Sequence, residues 1–141
     1  RRYVAVVEGI PTPAYGKIQS YLKENYKSLK MSSSEEDNGG ELAITHYKTL
    51  STLKGDKSRG IPDYTAMEFQ LETGKKNQIR VHAEYIGCPV AGDRKYGAKT
   101  NPIGRVALHA RTLAFHDPYT DEIRSFECPL PKEFAEIMKT R

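Results

Sequence analysis

The sequence predicts an α+β fold, a mostly antiparallel sheet with a few helices, and three observations carry that expectation. Apolar and polar residues alternate along several short runs, glycine and proline punctuate them, and only two stretches carry apolar residues at helical spacing. Composition fits an ordinary globular chain, with 38% apolar and 28% charged residues in 141, enough for one domain to bury a core unaided. Nothing repeats with a period of tens of residues, so a solenoid or propeller is excluded.

Taken in order, Tyr3 to Glu8 (YVAVVE) is β-branched, ends at Gly9 and reads as a strand buried on at least one face. Pro11 and Pro13 stop any regular element. Gly16 to Leu29 suits either an amphipathic helix or an extended segment. Met31 to Gly40 (MSSSEEDNGG) is polar and glycine-ended, and is expected to be a surface loop, the most disordered part of the chain. Glu41 to Thr49 and Tyr64 to Glu72 alternate as strands and, with the charged loop of Lys54 to Pro62 between them, read as a hairpin.

The stretch from Leu71 to Tyr96 (LETGKKNQIRVHAEYIGCPVAGDRKY) is the densest in chemistry. Asn77 is placed to cap a helix running to Gly87, with Ile79, Ala83 and Ile86 on one face. Arg80 flanks that buried stripe in the first turn, where the helix dipole is already positive. It therefore needs a carboxylate or a phosphate as partner.

Beyond the loop at Cys88 to Asp93, Arg105 to His116 reads as one long strand with a bulge near Arg111. Asp117-Pro118 turns the chain, Glu122 to Glu127 pairs back, and Lys132 to Lys139 forms a last helix with Phe134, Ile137 and Met138 on one face. The total is roughly six strands and two helices.

Net charge is +4, from 22 basic and 18 acidic residues, but it is unevenly spread. The window from Lys75 to Arg111 carries +6 and the remainder −2. Either this is a solvated basic surface or it is a phosphate-binding face.

No apolar run is long enough to span a membrane, and no signal-peptide pattern opens the chain. Cys88 and Cys128, far apart and in unlike contexts, are expected to be free thiols, as in the reducing cytoplasm. His46, His82, His109 and His116 lack the HExxH spacing and the cysteines form no CxxC pair, so no metal site is expected and each histidine reads as a locally hydrogen-bonded residue. Walker, GxGxxG and GxSxG motifs are all missing.

TGKKNQIRVHAEYIGCPVAGDRKYG resembles the signature of the RluA-type RNA pseudouridine synthases, TGR-x-HQIRVH followed by G-x-P-x-x-GD-x-x-YG. Tyr3 to Gly9 resembles that family's Y-x-A-x-V-x-G strand, Ala43 to Tyr47 its A-x-T-x-Y strand, Arg105 to Ala110 its R-x-x-LHA, and Pro129-Leu130-Pro131 its closing P-x-P. Five motifs in the family's order cover nearly the whole chain. Two departures fall inside the signature, where Lys75 replaces the usual arginine and Asn77 the usual histidine.

The resemblance implies isomerisation of uridine to pseudouridine in structured RNA, ribosomal or transfer, with no cofactor and no metal. It implies that Tyr3 is the active-site tyrosine packing on the flipped base, that Leu108 is an apolar wall of the uracil pocket, and that Arg80 pairs with the catalytic aspartate. Lys75, Lys76, Arg94 and Lys95 would hold RNA phosphates. The alternatives at these positions are a frayed strand residue for Tyr3, a plain core leucine for Leu108 and solvated charges for the four basic residues.

The family's nucleophile lies in an R-L-D-x-x-T-S-G motif upstream of the Y-x-A strand, and Asp37, Asp56, Asp63, Asp93, Asp117 and Asp121 all sit in other contexts. The chain also begins at Arg1 without a methionine. Residues 1–141 are therefore expected to be the C-terminal portion of a single synthase catalytic domain, cut from a longer protein, inactive alone, with Arg80 facing an acid that the chain does not supply. The alternative is a non-catalytic RNA-binding module that retains the fold. An exposed strand edge on such a piece would offer a pairing surface to a second copy.

Overall fold

The computed structural model describes residues 2–116 and 118–139, apart from the side chains of 113–116 and 124–126. The elements are β1 (Arg2–Glu8), β2 (Tyr15–Glu24), β3 (Met31–Ser34), β4 (Glu41–Leu53), β5 (Tyr64–Leu71), α1 (Gln78–Tyr85), β6 (Leu108–Ala110), β7 (Thr112–His116), β8 (Ile123–Glu127) and α2 (Lys132–Ile137). Six strands form one antiparallel sheet in the order β3-β2-β4-β5-β1-β6, and β7 pairs with β8 separately. The α+β architecture is as the alternation predicts.

Strand register decides which residues meet. Tyr3 lies opposite Phe69 on one side and Ala110 on the other, and Ala5 opposite Met67 and Leu108. Successive side chains of a strand point to opposite faces. Tyr3, Ala5, Phe69 and Leu108 thus share a face, the one covered by α1, whose Ile79 and Ala83 join the core with them. Val4 and Val6 point the other way, toward Phe134 of α2.

Several boundaries differ from expectation. Gly16 to Leu29, open between helix and strand, is largely β2, whose inward residues Ile18, Ser20 and Leu22 are buried. Asn25 then turns the chain, its Oδ1 accepting from the backbone N–H groups of Lys27 and Ser28. The expected disordered loop opens instead with β3, which pairs with β2 and buries Met31. One apolar side chain among serines suffices because the hairpin supplies the pairing.

The expected long strand through Arg111 is two strands in two sheets. Arg111 donates its N–H to Arg2 O and accepts from Cys128 N, so it joins the sheets rather than continuing either. Eight strands are found among the described residues where roughly six are expected. The last helix is also shorter, ending at Ile137. In the expected Asp117-Pro118 turn, Asp117 lies outside the described residues.

Both cysteines are free, Cys88 buried and Cys128 half-buried. No helix among the described residues is long and apolar enough to cross a membrane.

Candidate active site

Tyr3 of β1, Arg80 of α1 and Leu108 of β6 line one pocket of about 160 Å³, together with Leu71, Lys75, Asn77, Gln78 and Ile79. All three side chains are half-buried. Their convergence follows from register: β6 brings Leu108 beside Ala5, one pleat along the same face from Tyr3, and α1 lays its first turn across that face. The walls combine aromatic and aliphatic side chains with two cations, Lys75 and Arg80, and the amides of Asn77 and Gln78, an environment for a flat ring that also accepts hydrogen bonds. None of the described residues lining it is a carboxylate.

Arg80 already has a carboxylate partner within the chain. Its Nε donates to Asp93 Oδ2 at 2.7 Å and its Nη2 to Asp93 Oδ1 at 2.8 Å, a two-pronged pair. This corrects the expectation that the chain supplies no partner. Asp93 is 1% exposed and Arg80 24%. The guanidinium lies over the ring of the fully buried Tyr96, 4.9 Å from its centroid, and Nη1 donates to Asn77 Oδ1 at 3.3 Å. Hydrogen bonding to Asp93 raises the already high pKa of Arg80, so the group is a fixed cation.

Asn77 has another task than capping. It sits in the left-handed region at φ 56° and makes no side-chain cap to the helix. Its side chain instead reaches Arg80 and, at 3.4 Å, the Tyr96 hydroxyl.

Asp93 arrives because the loop before it is fastened to β1. Glu8 N–H donates to Pro89 O, and Ala91 N–H to Val6 O. Gly92 follows at φ +81°, where an added Cβ would lie 2.2 Å from Arg105 O, so only glycine fits. The Glu8 carboxylate then accepts from the N–H groups of Lys99 and Thr100, securing the far side of the loop.

Beneath α1 runs a buried polar chain. Ser33 Oγ donates to Ser20 Oγ, which lies 2.8 Å from His82 Nε2, and His82 Nδ1 is 2.7 Å from Thr45 Oγ1. Gln78 Nε2 donates to Thr45 Oγ1, while Gln78 Oε1 accepts from Thr73 Oγ1 and from Lys75 N–H. The network ties β2, β3 and β4 to the turn carrying Lys75 and to the helix carrying Arg80. Burial pushes the His82 pKa down to about 4, so its imidazole is neutral at pH 7. Local hydrogen bonding is thus the state of His82. His46 contacts Glu72 Oε2 at 2.6 Å and His109 contacts Cys128 O at 3.3 Å, while the His116 side chain lies outside the described part of the chain. No cluster of three or more metal-ligating groups occurs among the described residues.

The four candidate phosphate-binding residues separate into two places. Lys75 borders the pocket and pairs with Glu41 at 3.0 Å, and Lys76 pairs with Glu24. Arg94 and Lys95 are exposed on the short turn Arg94–Tyr96, outside the pocket lining. Sequence reasoning missed Asp93, Tyr96 and Gln78 as supports. Asp93 carried a signal, an acid 13 residues from an arginine that needs one, with a glycine beside it.

The family model for RNA pseudouridylate synthase matches residues 1–85, a span that includes Tyr3 and Arg80. An uncharacterised RNA pseudouridine synthase of Bacillus subtilis is 40% identical over 140 residues, covering 99% of this chain and 43% of that protein. The ribosomal large subunit pseudouridine synthase D of Neisseria meningitidis is 34% identical over 151 residues, covering 98% of this chain and 37% of that one. The chain spans less than half the length of either relative. Among solved structures, the human RNA pseudouridylate synthase domain containing 1 superposes with a TM-score of 0.71 at 24% identity, over 91% of this chain and 53% of that one. That likeness concerns the fold.

Proposed function

The chain belongs to the RNA pseudouridylate synthase family, in its RluA-type branch, and from that membership we propose that residues 1–141 are the C-terminal portion of a catalytic domain that isomerises uridine to pseudouridine in RNA. The substrate is structured RNA, ribosomal or transfer; the name of the Neisseria relative favours ribosomal RNA. The observation that carries the reading is the meeting of Tyr3, Arg80 and Leu108, from three elements, in one pocket.

In this reading the uridine leaves its stack at a cost of a few kcal/mol. Tyr3 takes the uracil on its ring, and Leu108 forms the apolar wall. The C1′–N1 bond breaks, the uracil turns, and C5 bonds to C1′; C5 then gives up its proton, with the Tyr3 hydroxyl placed to assist its removal, and N1 ends carrying a proton. No cofactor is called for, since the reaction transfers no electrons.

The nucleophilic aspartate comes from outside these residues, so the chain alone is inactive. Arg80 meets it as a pre-positioned donor. With Nε and one Nη2 hydrogen committed to Asp93 and one Nη1 hydrogen to Asn77, the remaining hydrogen on each of Nη1 and Nη2 orients the incoming carboxylate. Asp93, Tyr96 and Asn77 hold that donor edge still.

The test uses the longer protein with Arg80→Met, assayed for pseudouridine in RNA from cells lacking the enzyme. Formation is expected to fall roughly a hundredfold or more, the scale of removing a preorganised electrostatic donor. Activity near wild type would remove Arg80 from the site.

A further inference from the structure

A second depression, of about 490 Å³, lies beside the pocket of Tyr3, Arg80 and Leu108, and Lys75 lines both. Its walls come from the end of β2, the segment 39–41 and the turn 74–76, with Met31 contributing to its lining. Glu24 sits opposite Met31 and Glu41 opposite Leu22 in the register, and both Met31 and Leu22 are buried. The two carboxylates therefore rise on the side that α1 covers, where Glu41 meets Lys75 and Glu24 meets Lys76. Gly40 keeps the wall flush against β2, since a Cβ there would come within 2.3 Å of Leu22 O. Lys23, the third lysine, has no carboxylate partner among the described residues and points its ammonium at Asn38 O, 3.4 Å away. The charged residues of the lining are Lys23, Lys75, Lys76, Glu24 and Glu41.

We propose that this groove carries the phosphodiester strand adjoining the nucleotide in the pocket, and that Glu24 and Glu41 hold Lys76 and Lys75 in place until RNA phosphates displace them. The proposal rests on the RNA-synthase reading above and names the path of its substrate. Its geometric basis is Lys75, the common border of a base-sized pocket and a lysine-lined trough; a nucleotide entering the first must lead its neighbour past the second. Its energetic basis is exchange. Both ion pairs are open to solvent on at least one side and hence weak, whereas a phosphate arriving at the same ammonium also releases counterions from the RNA. The carboxylates keep the two lysines extended along the groove in the free protein and repel any strand not held closely enough to replace them.

The experiment measures binding of this chain to a fluorescein-labelled RNA hairpin with a uridine-containing loop, by anisotropy, at about 50 and 200 mM salt. The double variant Glu24→Gln with Glu41→Gln should bind about three- to tenfold tighter at the lower salt. The double variant Lys23→Ala with Lys76→Ala should bind correspondingly weaker, its salt slope reduced by about 0.7 for each phosphate left without its ammonium. Glu133→Gln, a change on α2 at the partner of Arg105, should match wild type. Unchanged or weaker binding by the glutamine variant overturns the displacement, and its small, charge-neutralising changes keep this test open even if the lysine variant fails to fold. Salt-dependent wild-type binding that neither double variant alters overturns the groove and leaves the RNA reading standing. Failure of the wild-type chain to bind the hairpin at all overturns the groove, while the synthase reading is judged separately by the Arg80→Met assay in the longer protein.

Discussion

Arg80 and Lys76 each end on a carboxylate, but the two pairs are built oppositely. Arg80 makes two parallel hydrogen bonds to an aspartate that is 1% exposed, with an aromatic floor beneath and Asn77 at its third edge. Lys76 meets Glu24 through its ammonium alone, and both side chains stand well into solvent. A fixed cation can be aimed at a reacting group, while an exchangeable one can let a strand slide in and out. The same surface thus holds a precise donor a short way from a forgiving electrostatic track.

Breaking the fixed pair should have the largest effect. Asp93→Ala leaves Arg80 charged and without its carboxylate, which is expected to cost about 3–5 kcal/mol. For a chain of this size that lowers Tm by about 10 °C or more, read by thermal unfolding. A loss below about 1 kcal/mol would place Asp93 in the same class as the surface acids.

The buried network offers a second measurement. The folded-state pKa of His82 is depressed to about 4, below the ordinary value of 6.5, so the unfolded chain binds more protons between those limits. Its stabilising contribution is complete above pH 6.5 and is lost as pH falls toward 4, for a total of about 3 kcal/mol. Urea midpoints at about pH 7, 5.5 and 4.5 should decline accordingly, and His82→Gln should flatten the decline. An unchanged slope in that variant would assign the pH dependence to other groups.

The smallest effect belongs to the exchangeable pair. Lys76→Ala should change unfolding free energy by less than about 1 kcal/mol, and less still as salt rises. If it instead destabilises as Asp93→Ala does, the distinction between the two pairs fails.

Much of the sheet was legible because β1 and β5 keep apolar residues on inward positions and β4 alternates with period two, although its inward set is Ala43, Thr45 and Tyr47 and its larger apolar Leu42 and Ile44 face the other way. β2 was not, because Ser20 occupies an inward position, and its burial makes sense only once His82 sits above it. β3 offers a single apolar residue and owes its existence to the hairpin. The break at Arg111 was hidden because alternation continues across it, while pairing changes from one sheet to the other. At the site, Tyr3, Arg80 and Leu108 were readable as motif residues, and register explains their meeting. The Asp93 partnership depends on how Gly92 turns against Arg105 O and on the fastening of the loop to β1, which spacing alone does not encode.

The placement of Tyr3 between Phe69 and Ala110 also bears on how the protein reaches its working form. The pocket joins the start of the chain to a strand roughly a hundred residues later, so it rests on pairings that are slow to close. The hairpin of β2 and β3 and the pairing of β4 with β5 can form from neighbouring sequence, but the pocket needs β6 docked on β1. A nascent or partly folded chain would show most of the sheet and no site, which makes occupancy of this pocket a report on whether β6 has docked on β1.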